Sequence, residues 1–209
     1  MRLSAKSLVV LGTATLVVAA LVWLVVRDTG SEPYTIKGSS LSGWTVVVGA
    51  PTDPWVVALR PPAALTDSLF QQLSRKAGRR LVAVPHALPL VLRGEYEDAL
   101  QGVNDTNAIL RFAQDELPPA TTFEAVCVAH HTDPANGGEL FFVAFNSAEF
   151  WKLRGDLVPA FPEHAGIGVF DPGAQPPILP LAATDADFGR WWPLQFEQLP
   201  DCQAQLVVR

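Results

Sequence analysis

The sequence predicts an α+β fold: one N-terminal transmembrane helix, then a single domain with a mainly antiparallel sheet and short helices on one face. Three observations predict it. From Leu8 to Val26 nineteen residues carry no charge, the length a helix needs to cross a bilayer. Beyond them, short β-branched runs alternate with turn residues, the pattern of a sheet built from hairpins. The 18 prolines and 15 glycines are also spread along the chain, favouring many short elements joined by defined turns.

Residues 1–27 are read as a signal-anchor. At about 1.5 Å of rise per residue the uncharged run covers roughly 28 Å, close to the roughly 30 Å hydrocarbon core. Thr13 and Thr15 can bond back to carbonyls one turn earlier, and Trp23 sits one turn before Arg27, where an interfacial aromatic is favoured. A cleaved signal peptide is the competing reading, with small-x-small patterns at Val18–Ala20 and Thr29–Ser31. Its apolar region is normally only about 7–15 residues, shorter than the run here. The charges flanking the run nearly balance, Arg2 and Lys6 against Arg27 and Lys37. A short basic start ahead of an apolar run places the N-terminus in the cytoplasm and the bulk outside it, as a single-pass protein of the inner membrane with a periplasmic or other extracytoplasmic domain.

Residues 28–43 are small and polar enough to read as a flexible tether, leaving 44–209 as the extracytoplasmic domain. Trp44–Gly49 and Trp55–Arg60 read as strands around the turn at 50–54. Leu65, Leu69, Phe70, Leu73 and Ala77 share one helical face; Ser68 and Gln71 have capping-box spacing, and Gly78 follows as a stop. Arg80–Val84 and Leu88–Arg93 read as strand interrupted at Pro85 and His86. Between Glu95 and Leu117 the apolar spacing predicts two short helices, broken and re-capped at Asn104–Thr106. Phe123–Ala129 and Glu139–Phe145 form an antiparallel hairpin across a loop rich in turn residues. A helix starts near Asn146 and Ser147 and runs through Phe150, Trp151 and Leu153 to Gly155. Gln203–Val208 closes the sheet as a final strand.

Charge excludes one class of partner. The first thirty residues take three of the 15 basic and one of the 21 acidic groups, leaving 12 against 20 in residues 31–209, a balance of −8. Nucleic acid and anionic lipid heads are repelled by such a surface. The expected partners are the bilayer, through residues 8–26, and other subunits of a membrane complex.

Few residues carry the atoms of chemistry. His130, His131 and Asp133, with His164 and Asp171, are the one cluster suited to a metal or to acid–base work. Adjacent strand residues face opposite ways, so His130 and His131 need a bulge to share an ion. There is no G-x-S-x-G, no P-loop and no H-E-x-x-H; Gly166 and Gly168 lack the third glycine of a dinucleotide loop. No cofactor is expected. Asn104–Thr106 fits an N-glycosylation acceptor and fits a helix cap better. Cys127 and Cys202, the only cysteines, suit one disulfide in an oxidising space. Closing a loop of about 75 residues contributes roughly 4 kcal/mol in the chain-entropy model; two separate buried thiols are the alternative. Trp191 and Trp192, in a Pro-rich stretch, combine large area with few rotatable bonds, the chemistry of an interface anchor.

An anchor, a compact acidic domain and no active-site signature together point to an accessory, assembly or scaffold subunit of a larger membrane complex, for example respiratory, photosynthetic or secretory. The alternatives are a membrane-tethered hydrolase or metal-dependent enzyme using His130, His131, Asp133 and His164, and an extracytoplasmic domain that binds a small ligand.

Overall fold

The computed structural model describes residues 32–101, 105–117, 123–133, 136–161, 170–185 and 204–209. The chain divides into two units, Met1–Pro33 and Tyr34–Arg209, and every described element belongs to the second. Among the described residues no helix is long and apolar enough to cross a membrane. The run Leu8–Val26 lies outside them.

The architecture is α+β, with short helices and a mainly antiparallel arrangement of strands. Strands β1 (Tyr34–Ile36), β2 (Thr45–Val48), β3 (Trp55–Arg60), β4 (Val82–Ala83), β5 (Leu88–Leu92), β6 (Glu124–Thr132), β7 (Glu139–Asn146), β8 (Ile178–Ala183) and β9 (Ala204–Val208) are joined by helices α1 (Ala63–Lys76), α2 (Thr106–Glu116) and α3 (Ala148–Ala160). Six strands pair in the order β1-β9-β6-β7-β8-β4 and three in the order β2-β3-β5. Only β1 and β9 run parallel among these pairs.

The stretch expected to be a tether is partly built into this sheet. Tyr34, Ile36 and Leu41 are buried, and Gly38–Leu41 forms a 3-10 turn, so the folded unit begins at Tyr34 rather than at 44. Burying two or three large apolar side chains at about 1.5–3 kcal/mol each outweighs the polar composition of their neighbours. β1 lies at the edge of the sheet, where unpaired peptide groups invite a further strand. Gln72 of α1 covers them: Thr35 N–H donates to Gln72 Oε1 at 2.9 Å, and Gln72 Nε2 donates to Thr35 O at 2.7 Å. Burial pushes the Tyr34 phenol above its ordinary value, and the Lys76 ammonium lies 4.4 Å over its ring.

Two apolar clusters fill the interior. The larger takes Leu65, Leu69 and Leu73 from α1, Ile109 and Ala113 from α2, and Phe150, Leu153 and Leu157 from α3, against Phe141, Val143 and Phe145 of β7. The smaller joins the two sheets and contains Trp55, Ala58 and Leu92 on one side and Ala129, Leu140, Phe142, Ile178 and Ala183 on the other. Alternation along β7 explains the division, since successive side chains enter opposite faces. β7 is therefore buried on both faces, and ELFFVAF reads as a continuous apolar run rather than as an alternating one.

Local chemistry sets the boundaries. α1 begins at Ala63 behind Pro62, five residues before the Ser68 cap that the spacing suggested, because proline pre-sets the φ of a helix start without needing a donor. Gly78 terminates it at φ +62°, the left-handed position glycine takes without penalty. Asp105 caps α2 by accepting the Asn107 N–H at 3.2 Å, as its place before the second helix implied. Ser147 caps α3 by accepting the Phe150 N–H at 3.1 Å. α3 runs past Gly155 and takes Pro159 inside its last turn; the carbonyl that a proline there crowds is that of Gly155, where no side chain adds to the congestion.

Candidate functional site

β6 and β7 pair residue by residue: His130 faces Phe141, His131 faces Leu140 and Thr132 faces Glu139. Residues directly opposite share a face of the sheet. Phe141 belongs to the larger cluster and Leu140 to the smaller, so His130 and His131 lie on opposite faces and do not converge. The bulge in this hairpin falls between Ala125 and Cys127, too early in β6 to turn one histidine toward the other. Among the described residues no group of three His, Cys, Asp or Glu is placed to hold a metal ion. His164 lies outside them. Asp133 closes the hairpin loop, where its N–H donates to Gly138 O and its carbonyl accepts from Gly137 N–H, both at 2.8 Å. The Asp171 carboxylate accepts the Gly173 N–H at 2.8 Å and stabilises a turn.

His130 instead meets Glu139 and Arg79. Its Nε2 lies 3.9 Å from Glu139 Oε1, its ring is 5.6 Å from that of Phe141, and Arg79 forms an ion pair with Glu139. The Glu139 N–H donates to Thr184 Oγ1 at 2.9 Å, tying the hairpin to the end of β8. Arg79 remains about half exposed, so the pair adds little stability. Sequence reading missed Arg79 and Glu139 because they come together only once the hairpin register puts Glu139 diagonally beside His130.

Among the described residues Arg154 on α3 is fully buried and its polar atoms are fully satisfied. Its Nη2 donates to Glu95 Oε1 and to Asp171 O, each at 2.7 Å. Nη1 donates to Leu90 O at 2.6 Å and Glu95 Oε2 at 3.3 Å, and Nε to Pro172 O at 2.8 Å. The guanidinium also stacks 4.7 Å from the Phe170 ring. Five donors thus meet five acceptors, the full capacity of the group. Glu95 Oε2 accepts in addition the Leu92 N–H at 2.8 Å. Every partner but Glu95 and the Phe170 ring is a peptide group, so the network joins β5, α3 and residues 170–172 mechanically and leaves no atom of the guanidinium free for a ligand.

A second arginine shapes a shallow cleft of about 320 Å³ lined by Val48, Gly49, Pro51, Val56, Arg93 and Asp105, with Thr106 and Asn107 beside them. Arg93 Nε and Nη2 hold the turn before β3 by donating to Asp53 O at 2.9 Å and Ala50 O at 2.7 Å. Gly49 is required there, because a Cβ would stand 2.3 Å from Trp55 O. The Asp105 carboxylate caps α2 at the same mouth and opposes entry of an anion.

One surface feature stands apart from these structural networks. Trp151 is 38% and Val158 41% exposed, and their seven-residue spacing puts them on one stripe of α3 with Gly155 between. Lys152 and Asp156 flank the stripe as an i,i+4 pair, and the hydrogen bond that the Lys152 ammonium donates to the Asp156 carboxylate raises its pKa above the ordinary value. Trp191 and Trp192, the aromatic pair singled out from sequence, lie outside the described residues. Cys127 is buried at 1% exposure, and no cysteine among the described residues is a free thiol; Cys202 lies outside them. Compared with known proteins, the chain matches no family model, no curated protein and no solved structure.

Proposed function

We propose that the chain is a single-pass accessory, assembly or scaffold subunit of a larger membrane complex, held by residues 8–26 and acting through its extracytoplasmic domain. The observation that carries this reading is the uncharged run from Leu8 to Val26, whose length suits a membrane-spanning helix. The division of the chain at Pro33 supports it, since the apolar segment falls outside the folded unit. The polar chemistry of the domain also supports it: the Arg154, Arg93 and Glu139 networks bind segments of the chain to one another. The enzymatic alternative draws less support, because His130 and His131 lie on opposite faces of their strand.

The surface through which such a subunit acts is the exposed stripe of Trp151 and Val158 on α3, with a neighbouring subunit as its occupant; tryptophan is among the residues that dominate binding energy at interfaces. The test is the mass of the full chain taken from native membranes in mild detergent. A stoichiometric protein partner is expected with the native sequence. Trp151→Glu is expected to lose it by about thirtyfold or more in affinity, matching the roughly 2 kcal/mol or more of a hot-spot residue, with an unchanged urea midpoint. A monomeric native chain without a partner would contradict the proposal.

A further inference from the structure

Four of the 12 basic groups in residues 31–209, Arg75, Lys76, Arg79 and Arg80, fall close together, and no acid occurs from Ser68 to Gly94. All four are exposed and stand at the end of α1, where Gly78 turns the chain out of the helix at φ +62°. Glu139 engages Arg79 from the hairpin side, while Arg75 and Arg80 make no ion pair among the described residues. Arg75 Nε donates to Gln71 O at 3.2 Å, which leaves both Nη groups available to a phosphate. This basic end lies beside the point where the folded unit starts. Gln72 of α1 bonds to Thr35, and Lys76 Nζ stands 4.4 Å over the ring of Tyr34, the first residue of the unit. Only residues 27–33 separate Tyr34 from Val26, the end of the uncharged run, a leash of at most about 29 Å when fully extended. A globule of this size is roughly 40 Å across. The headgroup layer takes up part of the leash, so the side of the domain that carries Tyr34 is held next to the bilayer.

We infer that Arg75, Lys76, Arg79 and Arg80 form a docking surface for the anionic phosphate headgroups of the bilayer that anchors the chain. The inference rests on the reading of residues 8–26 as the anchor and adds to it the face of the domain that meets lipid. The balance of −8 belongs to the domain as a whole and sets its average behaviour. Exposed charges separated by more than about 8 Å are largely screened at physiological salt, so a lipid surface responds to the face nearest to it. Clusters of Lys and Arg beside a membrane-spanning segment are attracted to anionic headgroups over that same short range. Guanidinium groups suit the task, since each can donate two parallel hydrogen bonds to one phosphate. The patch thus fixes which way the domain leans on its leash.

The experiment places the full chain in lipid nanodiscs of phosphatidylcholine alone, or with about one-third phosphatidylglycerol, and compares chemical labelling residue by residue. Acylation reads the lysines and phenylglyoxal the arginines. Lys76, Arg75 and Arg80 are expected to react about fivefold more slowly in the anionic discs, while Lys152 and Arg111, on α3 and α2, keep their rates. Raising sodium chloride to about 0.5 M is expected to remove the difference. The double variant Arg75→Gln with Arg80→Gln changes two exposed side chains and is expected to remove the protection of Lys76 as well. Equal labelling of Lys76, Arg75 and Arg80 in the two kinds of disc, with the chain held in both, overturns the inference alone. Protection of Lys76 that survives the double variant also overturns it. A chain recovered free of lipid overturns the anchor and the inference with it.

Discussion

Replacing Arg154 by methionine is expected to lower the unfolding free energy by about 3–5 kcal/mol, the range for removing one partner of a buried ion pair. The loss follows from what the side chain leaves behind. Glu95, 13% exposed, keeps its charge without its bidentate partner, and the carbonyls of Leu90, Asp171 and Pro172 lose their donors. Urea unfolding followed by tryptophan fluorescence measures it. Adding Glu95→Gln is expected to restore part of the loss, because the residual cost is mainly that of an uncompensated carboxylate. Arg154→Met within about 1 kcal/mol of the native chain would mean that water reaches Glu95 and the network contributes little.

Phe145→Ala is expected to cost about 3–5 kcal/mol, as large aromatic truncations in a closed core do. Phe145 is 1% exposed and packs edge-on to Trp44 at 5.4 Å and to Phe123 at 6.2 Å, with Trp44 and Phe123 4.4 Å apart. The three rings join the chain before β2, the start of β6 and the end of β7, so the cavity cannot close by moving one of them. Trp44 Nε1 donates to Leu41 O at 2.8 Å, which makes its fluorescence a local reporter of the loss. The control is Val126→Ala, at the bulge of β6 and 42% exposed, expected to stay within about 0.5 kcal/mol. Equal effects of the two would contradict the core described here.

The elements legible in the sequence were those whose pattern is local. α1 repeats its leucines on one face, β6 and β7 bracket a Gly-rich loop, and Asp105 and Ser147 announce helices that do begin behind them. β1 was illegible because three residues carry no period and its partner, β9, lies at the far end of the chain. β8 was hidden by Pro180, which argues against a strand with neighbours on both sides. Pro180 nevertheless faces Phe142 beside a register shift between Phe141 and Phe142, where a missing donor does least harm to the ladder.

The polar sites divide in the same way. The opposed faces of His130 and His131 follow from strand geometry alone. Arg154 and Glu95 stand 59 residues apart, and nothing in either neighbourhood marks a charge that burial will pair. Trp151 read as an ordinary helix residue, and only its exposure in α3 distinguishes it from the buried Phe150 beside it.

The most direct test of the proposed role is the intact mass of the chain extracted from native membranes, together with its partition after an alkaline carbonate wash. Retention of Leu8–Val26 predicts a protein that stays in the membrane pellet with its N-terminal thirty residues in place. A soluble mature form beginning near Ser31 or Glu32 would contradict it.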